Sequence, residues 1–242
     1  DADGVSDLAA AVPGGLQVVL AGADDGRWDG SFGDPSTPLP LGAAPGDVVA
    51  ADFDEDGILD LAVGHADENR VAVLAGNGAD GRGDGTFGAP AFVNLCGMQN
   101  DGPHLAAGDF DADGVLDLAA AGTANAGPEV GVCLLRGLGT NGVGNGGFTS
   151  GGSISLEWMW VADLAVRDVN RDGILDLLLG AGEGGGLGVL LGGGADGQGD
   201  GTFVTSDVFW HPELYMGGGR LATGDFDADG ILDVALAASC QG

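Results

Sequence analysis

One nine-residue segment constrains this chain more than anything else in it. DFDEDGILD over 52–60 returns as DFDADGVLD over 109–117, DVNRDGILD over 168–176 and DFDADGILD over 225–233, at intervals of 57, 59 and 57 residues. Residues 1–7 match its last seven positions. A second motif keeps the same period. AGADDGRWDGSF over 21–32, GNGADGRGDGTF over 76–87, GLGTNGVGNGGF over 137–148 and GGGADGQGDGTF over 192–203 align without gaps, each behind a short apolar run. Self-similarity at a fixed period makes each period one supersecondary unit that buries its apolar face only against its neighbours.

Within a unit, short apolar runs rich in Val, Leu and Ala alternate with Gly/Asp clusters, which reads as strand and turn. The second unit gives strand A over 48–53, the Asp loop, strand B over 59–63, a turn, strand C over 70–75, the Gly/Asp hairpin and strand D over 86–93. Helix is not expected, because 51 of the 242 residues are Gly and they interrupt the apolar runs throughout. The expected fold is all-β, a β-propeller of four-stranded antiparallel blades of about 57 residues each. A solenoid or sandwich is the alternative, but four strands exceed the short rung of a solenoid. One domain over 1–242 would comprise a partial blade 1–45, blades 46–103, 104–158 and 159–216, and a partial blade 217–242. Strand B then occurs at both ends, so the chain is expected to be either a fragment of a longer array or a short propeller with overlapping ends. Its opening on Asp1 rather than Met suggests a processed or truncated product. Open blade edges would invite association with another chain.

The motif D-x-[DN]-x-D-G-x-x-D puts side-chain oxygens at positions 1, 3, 5 and 9, and the main-chain carbonyl of position 7 offers another. Gly at position 6 permits the sharp turn, and carboxylates of one sign converge only around a cation. All-oxygen donors select calcium over zinc, which would want His or Cys, and over magnesium, which prefers fewer carboxylates and more water. The expected ligands are Asp52, Asp54, Asp56, Ile58 and Asp60; Asp109, Asp111, Asp113, Val115 and Asp117; Asp168, Asn170, Asp172, Ile174 and Asp176; and Asp225, Asp227, Asp229, Ile231 and Asp233. The truncated copy adds Asp1, Asp3, Val5 and Asp7, for four to five calcium ions in all. With Asn170 and Arg171, the 168–176 loop carries less negative charge, so weaker binding is expected there. These are not EF-hands: position 12, where an EF-hand needs a bidentate Glu, is Val63, Ala120, Leu179 or Leu236.

The paired motifs D-F-D-x-D-G-x-x-D-L-A and V-x-V-L-x-G-x-G, with DGTFGAP over 84–90, resemble the FG-GAP repeats of integrin α-chain propellers and of bacterial secreted VCBS-type proteins. The resemblance covers essentially the whole chain. It implies a calcium-stabilised β-propeller, generally extracellular, that binds proteins or carbohydrates or serves as a domain of something larger. Some fungal lectins and some polysaccharide lyases share the repeat, so the resemblance does not name a ligand.

The formal charge of −30, from 37 Asp and Glu against 7 Lys and Arg, excludes nucleic acid or anionic lipid as a partner, since those need clustered cations. Acidity does not mark disorder here, because 44% of the residues are hydrophobic. Of the 37 acids, 25 are Asp residues of the two motifs, so the charge belongs to the repeated sites. No apolar run reaches the roughly 20 residues of a membrane-spanning helix, and membrane insertion is not expected. Cys96, Cys133 and Cys240 suit an oxidising compartment with one bond and one thiol left over. A Cys96–Cys133 bond would join adjacent units; three buried free thiols is the alternative.

The Asp loops and Gly/Asp hairpins are expected at one end of the blades and the irregular links at the other. Those links hold Trp158 and Trp160, then Trp210, His211, Glu213 and Tyr215, with His65, Asp67, Glu68 and Asn69 in a B–C turn. Aromatic faces beside polar groups suit a sugar, so Trp158, Trp160, Trp210, His211 and Tyr215 are the candidate ligand residues, although Trp at a unit junction is more often packing. Arg82-Gly83-Asp84 spells a tripeptide read by some integrins, but it occupies a hairpin column and reads as a by-product of the repeat. No catalytic set emerges: there is no G-x-S-x-G elbow, no phosphate loop, and no metal-pair spacing among the three His. The expected function is a calcium-binding, non-catalytic extracellular module for protein binding, adhesion or structure. A carbohydrate-binding lectin is the alternative, followed by a domain of a polysaccharide-active enzyme or a subunit of a larger assembly. The expected location is secreted, periplasmic or cell-surface.

Overall fold

Every regular element in the computed structural model is an antiparallel β-strand. The structure describes residues 1–42, 45–65, 68–97, 102–122, 130–156, 160–181, 186–210 and 216–240, and no helix occurs among them. The first unit contains β1 (Leu8–Val12) paired with β2 (Gly15–Val19), and a hairpin of β3 (Ala21–Asp24) and β4 (Arg27–Phe32). The second contains β5 (Pro45–Ala51), β6 (Asp60–His65) and β7 (Arg70–Leu74), the hairpin β8 (Gly76–Ala79) and β9 (Arg82–Phe87), and β10 (Ala91–Asn94). Its main sheet runs in the order β10-β7-β6-β5.

The third unit is β11 (His104–Gly108), β12 (Asp117–Ala121), β13 (Val130–Thr140) and β14 (Val143–Ser155), four strands in chain order. The fourth repeats that pattern with β15 (Val161–Arg167), β16 (Asp176–Ala181), β17 (Gly186–Ala195) and β18 (Gln198–Trp210). A last pair joins β19 (Met216–Gly224) to β20 (Asp233–Cys240).

The second strands β6, β12 and β16 are buried along their whole length, and their near-continuous apolar sequence follows from packing on both faces. Leu118 and Ala120 of β12 join Phe53, Ala62, Val71 and Leu135 in a core between the second and third sheets. Ala119 and Ala121, pointing the other way, join Leu164, Leu177, Leu179 and Leu190 between the third and fourth. A third core places Leu16 and Leu41 against Leu61 and Val63. The sheets are therefore stacked face to face, each core shared by consecutive units. First strands are also tied directly: Asp47 Oδ2 accepts the Leu105 N–H at 2.9 Å, and Asp163 Oδ2 that of Leu221 at 2.7 Å.

A disulfide joins Cys96 to Cys133, with Cα atoms 5.6 Å apart, and so cross-links the second and third units. The side chain of Cys240 is not among those described.

Three expectations need correction. Strand D of the second unit is not continuous over 86–93. It divides into β9 and β10 around Gly88–Pro90, because Pro90 has no N–H to give a ladder and the Gly88 N–H turns to the carbonyl of Ala75 at 2.8 Å. Trp210 lies at the end of β18, opposite Gly186, and not in a link. His65 is the fully buried last residue of β6, stacked edge-on against Phe92, and not part of an open turn.

Candidate metal centre

Each Asp loop closes the connection between the first and second strands of a unit. The residue before the motif pairs with the ninth position in all four complete copies: Ala51 with Asp60, Gly108 with Asp117, Arg167 with Asp176 and Gly224 with Asp233. The backbone between them is also repeated. The fourth position is left-handed in every copy, φ +57° at Glu55, +55° at Ala112, +62° at Arg171, +61° at Ala228 and +59° at Ala2. Gly57, Gly114, Gly173, Gly230 and Gly4 follow at +81° to +92°. A left-handed residue without glycine's freedom is held in place by its surroundings.

Those surroundings are carboxylates turned inward onto the loop. The first-position Asp52 accepts the N–H groups of Asp56 and Gly57 at 3.1 and 2.9 Å, and Asp109, Asp168 and Asp225 do the same in their loops. The fifth-position Asp56, Asp113, Asp172 and Asp229 each accept the N–H of the residue two further on, at 2.7 to 2.9 Å. Asp3 does so for Val5 at 2.8 Å.

The ninth position has a second task that the sequence did not disclose. Asp60 is buried; one of its oxygens takes the Phe53 N–H and the other the Gly76 N–H, both at 2.8 Å. Asp117 spans Phe110 and Gly137 at 3.0 and 2.8 Å, and Asp176 spans Val169 and Gly192 at 2.8 Å each. This carboxylate ties the Asp loop to the first residue of its own hairpin. Asp7 reaches Ala21 in the same way, and Asp233 reaches Phe226. The offset varies, 16 residues for Asp60–Gly76 and Asp176–Gly192, 20 for Asp117–Gly137 and 14 for Asp7–Ala21, so the available signal was the recurrence of the tied residue as the first of each hairpin motif.

Oxygens of Asp52, Asp54 and Asp60 lie within 4.8 Å of one another, as do those of Asp109, Asp111 and Asp117, and those of Asp225, Asp227 and Asp229. Asp56 and Asp113 stand outside these triads. In the 168–176 loop no such triad forms among the described acids, and the amide of Asn170 donates to Asp172 Oδ2 at 2.8 Å. Burial pushes the carboxyl of Asp60 up and that of Asp117 up to about 6, against the pull of their two N–H donors. Asp111 is also raised, burial outweighing the nearby Arg136, whose Nε sits 3.0 Å from Asp111 Oδ2. Converging carboxylates of one sign, with one buried member in each of the first two triads and exposed residues in the third, offer oxygen donors alone and fit a hard divalent cation such as calcium.

The hairpin acids do other work. Asp29, Asp84 and Asp200 take the hydroxyl and N–H of Ser31, Thr86 and Thr202, which holds their carboxyls below the usual range. Asp84 of the Arg-Gly-Asp tripeptide is thus a turn-forming residue of the repeat.

The 52–60 and 109–117 loops are each held between two hairpins. A loop's own hairpin packs glycine on glycine, since a Cβ on Gly57 would come 3.1 Å from Gly81 Cα, with equal distances at Gly114–Gly142 and Gly173–Gly197. The hairpin of the next unit then docks on the second position. Gly146 N–H donates to Phe53 O at 3.2 Å and Gly201 N–H to Phe110 O at 2.9 Å. Phe53 meets Phe148 edge-to-face with centroids 5.3 Å apart, and Phe110 meets Phe203 at 5.4 Å.

Of the aromatic candidates only Trp160 has a described side chain. Trp160 is 43% exposed before β15. Trp158, His211, Glu213 and Tyr215, like Asp67, lie outside the described residues, and for Trp210 only the backbone is described.

No curated protein matches the chain. Among solved structures it is similar to the exotype rhamnogalacturonan lyase YesX (14% identity, TM-score 0.48), covering 91% of this chain and 46% of that one. It is also similar to the rhamnogalacturonan lyase PL11 of Bacillus licheniformis (15% identity, TM-score 0.46), covering 91% and 48%. The chain thus spans about half the length of each. The family model of the FG-GAP-like repeat matches residues 52–120 and 168–236, two stretches that each run from the first residue of one Asp loop into the second strand of the next unit. With more than half of its length matched and the repeat visible in loop, hairpin and sheet alike, the chain belongs to the FG-GAP-like repeat family.

Proposed function

We propose that the chain is a calcium-binding, non-catalytic module of the extracellular or cell-surface space, whose stacked sheets are blades of a β-propeller and whose metal loops hold consecutive blades together. The observation that carries this reading is the convergence of three carboxylates in each of the loops 52–60, 109–117 and 225–233. In the first two of these, the same loop is seated against its own hairpin and the next. Asp52, Asp54 and Asp60, Asp109, Asp111 and Asp117, and Asp225, Asp227 and Asp229 would hold the ions, with the carbonyls of Ile58, Val115 and Ile231 as further donors. Bound calcium would supply the positive charge that these converging oxygens lack. The residues themselves fix the loop backbone through Asp52 and Asp56, and the loop-to-hairpin register through Asp60. Binding of a protein or glycan would then fall to surfaces that this frame holds rigid.

Calorimetry with and without EDTA tests the reading. Calcium should raise the melting temperature in a concentration-dependent manner. An unchanged melting temperature in EDTA would remove the metal from the account. Glycan binding is favoured by one further observation, the exposed ring of Trp160. A glycan array comparing wild type with Trp160→Ala decides it.

A further inference from the structure

We propose that Arg136 is a built-in counter-cation of the 109–117 loop, weakening calcium binding there relative to the 52–60 loop and keeping the loop folded when calcium is withdrawn. The proposal rests on the calcium reading above. The two loops match except at the fourth position, where Glu55 stands against Ala112 and accepts the Gly144 N–H at 3.2 Å, and at the seventh, where Ile58 stands against Val115. Each has the same carboxylate triad, the same inward hydrogen bonds, and left-handed backbone at the same two positions. They differ at the end of the third strand, where the residue before the hairpin is Ala75 in the second unit and Arg136 in the third. The corresponding residues of the first and fourth units are Leu20 and Leu191, so the cation is particular to this loop.

Its placement is specific. The guanidinium Nε lies 3.0 Å from Asp111 Oδ2, and that carboxylate is only 8% exposed while Arg136 is 49% exposed. A Cβ on Gly201 would lie 3.0 Å from Arg136 Nη2 and 3.2 Å from Asp111 Cβ. The guanidinium is therefore wedged between the loop and the hairpin of the following unit, whose Gly201 N–H is bonded to Phe110 O. Two consequences follow from one charge. A guanidinium stays protonated at any working pH, so it offsets part of the triad's negative charge permanently and repels a divalent ion directed to the same oxygens. It also bridges loop, β13 and the next hairpin by contacts that need no metal, a tie that Ala75 cannot supply to the 52–60 loop.

Calcium titration by calorimetry on the whole chain, with melting curves in EGTA, tests both halves. Arg136→Gln should tighten one binding step by about fivefold, the upper range for a partly exposed ion pair. It should lower the melting temperature in EGTA by about 2 °C. Arg136→Lys, which keeps the charge, should stay near wild type in both. In an Asp109→Asn background, where the loop has lost one carboxylate of its triad, Arg136→Gln should no longer change any calcium step. Calcium binding by wild type with every step unchanged in Arg136→Gln would overturn the proposal, as would an effect that persists in the Asp109→Asn background. A wild type that binds no calcium at all would overturn the calcium reading and this inference with it, and the titration curve tells the two failures apart.

Discussion

Replacing Gly199 by Ala should separate two units that the structure holds in backbone contact. A Cβ at Gly199 would lie 2.3 Å from the carbonyl oxygen of Phe110 and 3.1 Å from its carbon, and the same close approach occurs at Gly144 against Phe53. Ordinary contact needs about 1 Å more, so the fourth-unit hairpin must lift off the third-unit loop. That would stretch the 2.9 Å bond from Gly201 N–H to Phe110 O and part the Phe110–Phe203 pair. Overpacking costs about 1–3 kcal/mol, the hydrogen bond about 1, and the aromatic pair about 1. The smaller entropy of an unfolded chain with Ala returns about 0.5–1 kcal/mol. A net loss of about 3 kcal/mol corresponds to a fall in melting temperature of about 6–12 °C for a chain of this size. Differential scanning calorimetry in saturating calcium measures it. Gly88→Ala is the control, since its Cβ would stand 3.6 Å from Ala75 O, an ordinary contact, and it should stay within about 0.5 kcal/mol of wild type. If Gly199→Ala melts with wild type, the hairpin-on-loop dock does not hold the units together.

Asp176→Asn should destabilise in calcium and in EDTA alike, by about 1–3 kcal/mol, because one amide oxygen cannot serve both Val169 and Gly192 and one buried N–H loses its acceptor. Asp172→Asn should cost less, at most about 1 kcal/mol in EDTA, since an Asn oxygen can take the Ile174 N–H as Asn145 takes that of Gly147 and only the exposed bond from the Asn170 amide is lost. Melting curves of both variants in both buffers separate the tie from the exposed loop position. Reducing the Cys96–Cys133 bond, which spans 37 residues, should cost about 4 kcal/mol by the loop-entropy argument, and comparison with Cys96→Ser/Cys133→Ser double variants shows whether the loss is the bond's own. In EDTA, Asp117 contributes a stability that is full below its unfolded pKa and is lost as pH rises through about 6, so metal-free protein should melt higher at pH 5 than at pH 7. With calcium bound the trend should reverse, because protons then compete with the metal; a metal-free melting temperature that rises from pH 5 to pH 7 would refute the assignment.

The Asp columns were legible because a metal loop needs oxygens at fixed steps and a glycine at the turn, and both constraints act within nine residues. The second strands were legible for a similar local reason: Leu61-Ala62-Val63 and Leu177-Leu178-Leu179 carry no polar residue to face solvent, and both segments are buried on two sides. What stayed hidden depends on partners far along the chain. Asp60 looks like one more ligand until Gly76 is seen against it, and Arg136 looks like an ordinary surface cation until Asp111 is placed 3.0 Å away. The glycines of the hairpins read as turn formers, yet Gly144 and Gly199 are required by the carbonyls of another unit. Trp210 was assigned to a link because the hairpin motif ends at Phe203, whereas the ladder with β17 carries on to Gly186. The hairpin acids belong to the same repeat but stand outside the triads, Asp84 and Asp200 being satisfied by Thr86 and Thr202.

The most direct test is an anomalous-scattering map from crystals of the whole chain grown in calcium. The account predicts a calcium peak within the oxygen triads of 52–60, 109–117 and 225–233, with the Asp loops and the docked hairpins unchanged in backbone. Crystals grown in calcium that show these triads closed on themselves, with no peak in any of the three loops, would contradict it.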